Sequence, residues 1–146
     1  MKTYGKGIAA VAANEENIRN QLKRFGFALD SPETVEILIR NLAVAHVLQR
    51  AERLYRVIFG SQISALKFLN VTGPKSDLDI QPFYEKARRK FPKFYIGYSY
   101  EQWRGFLIDQ QVMAHDSTKD LFHTNQTGKD FLAWLVNEGL PEEKGG

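Results

Sequence analysis

The sequence predicts a mainly α protein with one small β-hairpin, an α+β architecture in which a long N-terminal helix precedes the other elements. Three observations predict it: apolar residues recur with helical spacing over most of the 146 residues, capping residues precede these stretches, and one segment has hairpin character. A composition of 43% hydrophobic and 25% charged residues is typical of a globular protein. The absence of cysteine excludes disulfides, thiol catalysis and cysteine-ligated metal sites.

The N-terminal part predicts two helices. Residues 15–28 place Ile18, Leu22 and Phe25 on one stripe, and Ser31 and Pro32 then provide a helix start whose pattern continues to residue 59. The early part of this long helix is apolar on nearly all sides, so it needs partners on more than one face. Core packing within one chain and dimerisation both satisfy that need. We predict a homodimer that associates through residues 31–59.

Three further helices are predicted after a break at Gly60, where Ser61 is the expected cap. The first has Ile63, Leu66 and Leu69 with helical spacing. The next covers residues 82–91, and the third begins with a capping box formed by Ser99 and Gln102. We expect the inner face of this third helix to carry Trp103, Phe106 and Leu107.

The C-terminal part predicts a hairpin and a last helix. Residues 112–124 read as two extended arms around the polar tip 116–120, and Asn125 is expected to cap a helix with Phe131, Leu132, Trp134 and Leu135 inward. Asn125 and Thr127 also match a glycosylation motif, and Gly128-Lys129 matches a fragment of a phosphate loop. Capping is the better interpretation, because the preceding strand and first glycine of a phosphate loop are missing.

The order helix, helix, helix, hairpin, helix after Gly60 resembles the winged helix-turn-helix domains, most closely the MarR-like transcription regulators. The likeness is carried by Ser61-Gln62 ahead of Ile63-x-x-Leu66, by the position of the helix from Ser99, and by Asn125-x-x-Gly128-x-x-Phe131-Leu132, where the family often has threonine first. The resemblance implies a winged-helix domain over residues 60–140, after an N-terminal helical extension (1–59) and before a flexible tail (141–146). Two features depart from the family: an aromatic loop at 91–98 and carboxylates on the helix that would be the recognition helix.

Charge indicates where a nucleic acid would bind. Residues 80–104 contain six basic and two acidic side chains, whereas the rest of the chain has a net charge of −1. The candidate DNA contacts are Lys86, Arg88, Arg89, Lys90, Lys93, Tyr100, Gln102, Arg104 and Lys119. The resemblance implies a dimeric transcription regulator whose helix from Ser99 enters the major groove. The basic residues also fit an ordinary solvated face, and the tyrosines at 95, 98 and 100 fit local core better than base stacking.

Other functions have weaker support. The chain has no complete phosphate loop or nucleophile elbow, and Asp79 is better explained as a helix cap or a loop acid than as half of a catalytic pair with Asp77. We therefore expect no enzyme and no cofactor. His115 and His123 could face each other across the hairpin beside Asp116 or Asp120, but their spacing matches no zinc pattern, and we expect no metal. No membrane span or clear signal peptide is present, which favours a cytoplasmic location. The alternative function is a winged-helix module that docks on another protein in a larger assembly.

Overall fold

The computed structural model describes residues 7–146, so the first six residues of the predicted 1–59 extension lie outside it. The helices are α1 (Ala9–Arg24), α2 (Pro32–Val57), α3 (Gly60–Thr72), α4 (Asp77–Lys90), α5 (Tyr100–Asp109) and α6 (Gln126–Asn137). A short 3-10 helix, Pro92–Tyr95, lies between α4 and α5. Strands β1 (Met113–Asp116) and β2 (Leu121–Thr124) form a two-stranded antiparallel sheet. The predicted mainly helical α+β class is confirmed.

The sequence predicts the start of α2 correctly but not the bounds of α1. Helix α2 begins at Pro32 as predicted, and the Ser31 hydroxyl accepts a hydrogen bond from the Thr34 backbone N–H at 3.2 Å. Helix α1 begins at Ala9 and ends at Arg24, whereas residues 15–28 were expected. The earlier start follows from the alanine-rich run 9–13, because alanine has the highest helix propensity.

The chain divides into two compact units, Met1–Val47 and Leu48–Gly146. The described part of the first unit buries only Leu22 and Thr34. The second unit contains the hydrophobic core, to which the last turns of α2 contribute Ala51, Leu54 and Ile58. The division therefore falls inside α2, while the predicted domain boundaries at residues 59 and 140 stay predictions.

Helix α3 begins with a buried polar pair. The side-chain oxygen of Gln62 accepts from the Phe59 backbone N–H at 2.9 Å, so Gln62 satisfies the helix start. The predicted capping role of Ser61 is wrong: its hydroxyl is buried and accepts from Trp103 Nε1 at 3.0 Å. A buried indole N–H needs an acceptor, and Ser61 supplies it.

Helix α4 begins at Asp77, earlier than the predicted residue 82, and contains Pro82. Its start is stabilised by the Asp79 carboxylate, which accepts from the backbone N–H and the hydroxyl of Ser76 at 3.1 and 2.7 Å. The predicted capping role of Asp79 is confirmed. Just before this start, Lys75 forms an isolated antiparallel bridge with Phe122, with N···O distances of 2.9 and 2.7 Å. The α3–α4 loop thus extends the sheet by one pair.

The predicted hairpin is confirmed, with Asp116 paired to Leu121 at its end. The register pairs His115 with Phe122 and Ala114 with His123. Because directly paired residues point to the same face and neighbours along a strand to opposite faces, His115 and His123 lie on opposite faces. The prediction that the two histidines face each other is wrong.

Residues 141–146 contact other residues of the second unit, while the predicted flexible tail stays a prediction. The Tyr55 hydroxyl donates to the Pro141 carbonyl at 2.9 Å, Lys67 pairs with Glu142 at 2.5 Å, and the Ser61 N–H donates to an oxygen of Gly146 at 3.1 Å. Glu142 and Glu143 help to line a cavity of about 560 Å³ beside the first turn of α3 and the part of α4 from Pro82 onward, which includes Lys86 and Lys90.

The predicted cap of α6 is confirmed, because Asn125 Oδ1 accepts from the Gly128 N–H at 3.0 Å. The same side chain donates to the Gln111 carbonyl at 2.9 Å, which ties the helix start to the segment before β1. Helix α6 approaches that segment closely: a Cβ on Gly128 would lie 2.2 Å from the Val112 carbonyl oxygen. Only glycine fits here without displacing backbone.

Gly128→Ala should therefore destabilise the protein by about 3 kcal/mol, since overpacking against backbone cannot be relieved by a rotamer change. Gly105→Ala is the matched control, because a Cβ at this α5 position meets nothing within 4 Å. The control should raise the free energy of unfolding by about 0.5–1 kcal/mol through helix propensity. Urea unfolding followed by circular dichroism measures both, and equal effects would contradict the close approach.

Candidate nucleic-acid interface

Helix α4 carries the largest group of exposed cations in the predicted site. Ile80, Tyr84 and Ala87 are buried, whereas Lys86, Arg89 and Lys90 are exposed, and Lys93 follows in the 3-10 helix. We call Lys86, Arg89, Lys90 and Lys93 the basic face. Among residues 7–146, no salt bridge involves any member of the basic face. These four cations are therefore exposed and have no carboxylate within 4 Å, although Glu142 and Glu143 line a cavity together with Lys86 and Lys90.

Arg88 differs from the basic face. Its guanidinium donates to the Glu85 carboxylate at 2.9 Å and lies 5.9 Å from the centre of the Tyr84 ring. An exposed pair of this kind contributes little stability, but it compensates the charge of Arg88. Arg88 is therefore a weaker candidate for a phosphate contact than its neighbours.

Helix α5 occupies the position of the predicted recognition helix and has two unlike faces. Its inner face buries Trp103 and Leu107 completely, as predicted, while Phe106 is partly buried. Its exposed side chains include Glu101, Gln102, Ile108 and Asp109. This outer face carries two carboxylates and one apolar side chain, so it presents negative charge to any partner.

Arg104 is held by neighbouring side chains. It forms a salt bridge with Asp77, and its guanidinium lies 5.0 Å from the centre of the Phe122 ring and 5.5 Å from that of Tyr100. The Tyr100 hydroxyl donates to the same Asp77 carboxylate at 2.5 Å. These contacts join the start of α4, helix α5 and strand β2. Arg104 thus has a structural partner for its charge.

The pKa values of this cluster follow from its contacts. Burial alone raises the pKa of the Asp77 carboxyl, but the hydrogen bonds from Arg104 and Tyr100 outweigh it, so the pKa lies below its usual value. The hydrogen bond to Asp77 raises the pKa of Arg104. Burial, followed by the hydrogen bond to Asp77, raises the pKa of Tyr100. Asp77 is therefore ionised and Tyr100 neutral at physiological pH.

The structure places the remaining predicted contacts apart from one another. Tyr100 is only 9% exposed, and its hydroxyl is already bound to Asp77. Gln102 accepts from the Ser99 N–H with its side-chain oxygen at 2.8 Å, as the capping box predicts, which leaves its amide N–H groups. Lys119 is exposed at the tip of the hairpin, where Asp116 Oδ1 accepts from the N–H groups of Thr118 and Lys119. Of these three residues only Lys119 is an exposed cation, and it lies in the hairpin turn, outside the basic face.

The aromatic loop between α4 and α5 mostly forms local core, as expected. Tyr95 is buried and shares a hydrogen bond with Ser61 at 2.8 Å, and the rings of Tyr95 and Tyr98 lie 5.4 and 5.5 Å from that of Phe59. Two side chains of the same loop point outward: Phe94 is 57% exposed and Ile96 is 82% exposed. The loop therefore exposes an apolar surface just before α5.

The hairpin histidine has a structural partner. The His115 ring stacks on Phe122 with centroids 4.4 Å apart, and His115 Nε2 lies 2.8 Å from Asp120 Oδ1. In the part of the chain that the structure describes, no three histidine or carboxylate side chains converge as a metal site. The contact closes the ends of the hairpin turn.

Sequence reasoning missed the partners of two arginines. Asp77 and Arg104 are 27 residues apart, and Arg50 donates to the Gln110 carbonyl, 60 residues away, at 2.8 Å. Neither contact has a local signal, because each joins separate helices or a helix and a loop. Asp77 could be identified in the sequence as a candidate acidic residue, but its partner Arg104 could not be predicted.

Comparison with protein-family models, curated proteins and solved structures gives no match to this chain. Within residues 7–146, no helix combines the length and apolar character that a membrane span requires. The features of the molecule that bear on function are the basic face, the outer face of α5 and the order of the elements that carry them.

Asp77→Asn should destabilise the protein at neutral pH and change its acid response. Because the folded-state pKa of Asp77 lies below its unfolded value of about 3.9, its contribution is present above that pH and is lost as pH falls through the folded pKa. The stability difference between wild type and variant should therefore shrink below about pH 4. Urea unfolding at pH 7 and pH 3 measures it, with exposed Asp109→Asn as the control. A difference that does not change with pH would contradict the assignment.

Proposed function

We propose that residues 60–140 form a winged helix-turn-helix domain that binds duplex DNA mainly through phosphate contacts. The order α3, α4, α5, β1, β2, α6 supports the proposed fold. The Lys75–Phe122 bridge also supports it, since it adds a third short extended segment, between α3 and α4, to the hairpin. The wing of this domain is the hairpin, with Lys119 at its tip.

The observation that carries the proposal is the basic face. Lys86, Arg89, Lys90 and Lys93 are exposed, close in sequence and without carboxylate partners among the described residues. Lys86, Arg89 and Lys90 lie on α4, which precedes the proposed recognition helix α5. Lys93 lies in the 3-10 helix between α4 and α5. Such clusters bind phosphates by releasing counterions, and these contacts carry no sequence information.

The proposed recognition helix contributes little base readout. Glu101 and Asp109 on its exposed face repel phosphates, and the charge of Arg104 is bound to Asp77. The side-chain amide of Gln102 keeps its N–H groups for a base edge, because only its oxygen is used by the helix cap. We leave Tyr100 out of the proposed surface because its ring is buried. The proposal is thus a DNA-binding protein with modest sequence discrimination.

A cytoplasmic, homodimeric transcription regulator is the biological form of this proposal. Two copies would present two basic faces to one duplex, and dimeric binding raises affinity because the second contact becomes intramolecular. The proposed role in transcription regulation is based on the resemblance of residues 60–140 to MarR-like proteins. It is not based on any particular contact in the structure.

DNA binding should fall steeply with salt. If the four residues of the basic face each neutralise one phosphate, log K should fall with log salt with a slope of about −3.6 per protomer. The double variant Arg89→Glu with Lys90→Glu should weaken binding at least about 100-fold in 50 mM salt and lower the slope by about 2. Fluorescence anisotropy with a labelled duplex of about 30 base pairs measures the affinity and its salt dependence.

The matched control is Arg53→Glu with Arg56→Glu, which makes the same charge change at two exposed arginines of α2. It should keep most of the wild-type affinity. Equal losses in the two double variants would show a net-charge effect, and wild-type binding that is absent at 50 mM salt would overturn the proposal.

The outer face of α5 favours a second candidate function, a module that docks on another protein. Two carboxylates and Ile108 on α5 and the exposed Phe94 and Ile96 in the preceding loop form mixed acidic and apolar surface. A stoichiometric partner that wild type recovers and Ile96→Asp loses, without DNA binding at low salt, would select this function. Val71→Asp, at an equally exposed apolar position on α3, is the control and should keep the partner.

A further inference from the structure

The described part of the N-terminal unit exposes most of its large apolar side chains, while Leu22 is buried and Val11, Phe27 and Ile37 are partly buried. In residues 7–47 the exposed ones are Ile8, Ile18, Phe25, Leu29, Val35, Leu38, Ile39, Leu42, Val44 and Val47. Helices in proteins obtain most of their stability from the packing of an apolar face, not from helix propensity. A pair of helices with this much uncovered apolar surface needs a partner to be stable.

The distribution of these side chains shows how much has to be covered. In α1 they follow one stripe, on which Ile18 and Phe25 are exposed and Leu22 is buried. In residues 32–47 of α2 they lie on two sides of the helix, with Leu42 on one side and Val44 on the other. One stripe on α1 can cover one side of α2 at most. The other side requires helices from another molecule.

The exposed area fits one half of a symmetric interface. The ten exposed side chains together present roughly 1,000 Å² to solvent, and each partner in a standard interface contributes about 800 Å². The charges also fit self-association: residues 7–47 contain four basic and five acidic side chains. In a two-fold dimer the same patch meets itself, so a nearly neutral surface of mixed charge avoids self-repulsion. Such a surface has no bias toward a nucleic acid or a highly charged protein.

We infer that residues 7–47 bind the same segment of a second copy of this chain, so that α1 and the first half of α2 from two copies form a helical bundle. The inference rests on the proposed homodimer and sharpens the prediction of an interface through residues 31–59. Helix α1 joins the interface. Ala51, Leu54 and Ile58 do not, because they are buried in the core of the second unit.

The first test is the mass of the full chain in solution. Multi-angle light scattering should give twice the 16.7 kDa of one chain at micromolar concentration. Dilution should lower the mass and the melting temperature of the N-terminal unit together, because association stabilises the unit that forms the interface by mass action. A mass of one chain at 100 µM, about the upper end of the micromolar range of weak interfaces, would overturn the inference.

Three variants locate the interface. Leu42→Glu on α2 and Ile18→Glu on α1 should each raise the dimer dissociation constant at least about 100-fold, because each places a carboxylate against apolar surface. Val136→Glu, at a 71% exposed position on α6, is the control and should keep the wild-type mass. A wild-type mass for Ile18→Glu would remove α1 from the interface, and a wild-type mass for Leu42→Glu would overturn the inference.

Folding and DNA binding are measured separately in the same samples. Circular dichroism should show the melting of the second unit unchanged in the Leu42→Glu variant, since that residue lies outside its core. Loss of that transition would show that the variant unfolds, and the dilution series of the wild type then decides the question. A monomeric wild type that still binds duplex DNA would reject the dimer and retain the basic face. A dimeric wild type that does not bind duplex DNA would retain the dimer and reject the basic face as a DNA-binding surface.

Discussion

A buried hydrogen-bond network between α3 and α5 is the interaction on which the rest of the second unit depends. Ser61 accepts from the indole of Trp103, and Gln62 donates to the Trp103 carbonyl at 2.8 Å while its oxygen accepts from Phe59. Tyr95 brings the aromatic loop to the same serine. Each of these buried polar groups has a hydrogen-bond partner. Because the partners must meet with the correct geometry, the network specifies one arrangement of α3, α5 and the loop.

That arrangement determines which charges the protein offers to a partner. With Trp103 fixed inward, Glu101 and Asp109 must lie on the outer side of α5, and Arg104 lies at its edge, where Asp77 binds it. Of the α4 cations, Arg88 pairs with Glu85, whereas Lys86, Arg89 and Lys90 form no salt bridge among the described residues. Positive charge is therefore concentrated on α4 and the turn after it, and the helix in the recognition position is acidic. In the proposed DNA-binding function, this separation corresponds to phosphate contacts with little base reading; in the alternative proposal, the outer face of α5 is the surface that docks on a protein partner.

Much of the fold could be predicted from the sequence, and the reason is local. The capping box of Ser99 and Gln102, the Asn125 cap and the hairpin around 116–120 involve residues at most a few positions apart, so their residue types indicate the structure directly. The basic face was visible for the same reason, since helical spacing groups its side chains. Element boundaries were less accurate: α4 begins at Asp77, after a capping box formed by Ser76 and Asp79, and ahead of a proline that suggested a later start.

By itself, then, the sequence determined the helical class, the hairpin, the caps of α2, α5 and α6, and the location of the excess positive charge. Only the tertiary structure decided that Ser61 is a buried acceptor for Trp103, 42 residues away, and that Asp77 holds Arg104. It also showed that ten large apolar side chains of residues 7–47 remain exposed in one chain. Caps and periodicity are interactions within one or two turns, whereas these features depend on which distant segments meet, and no local pattern encodes that choice.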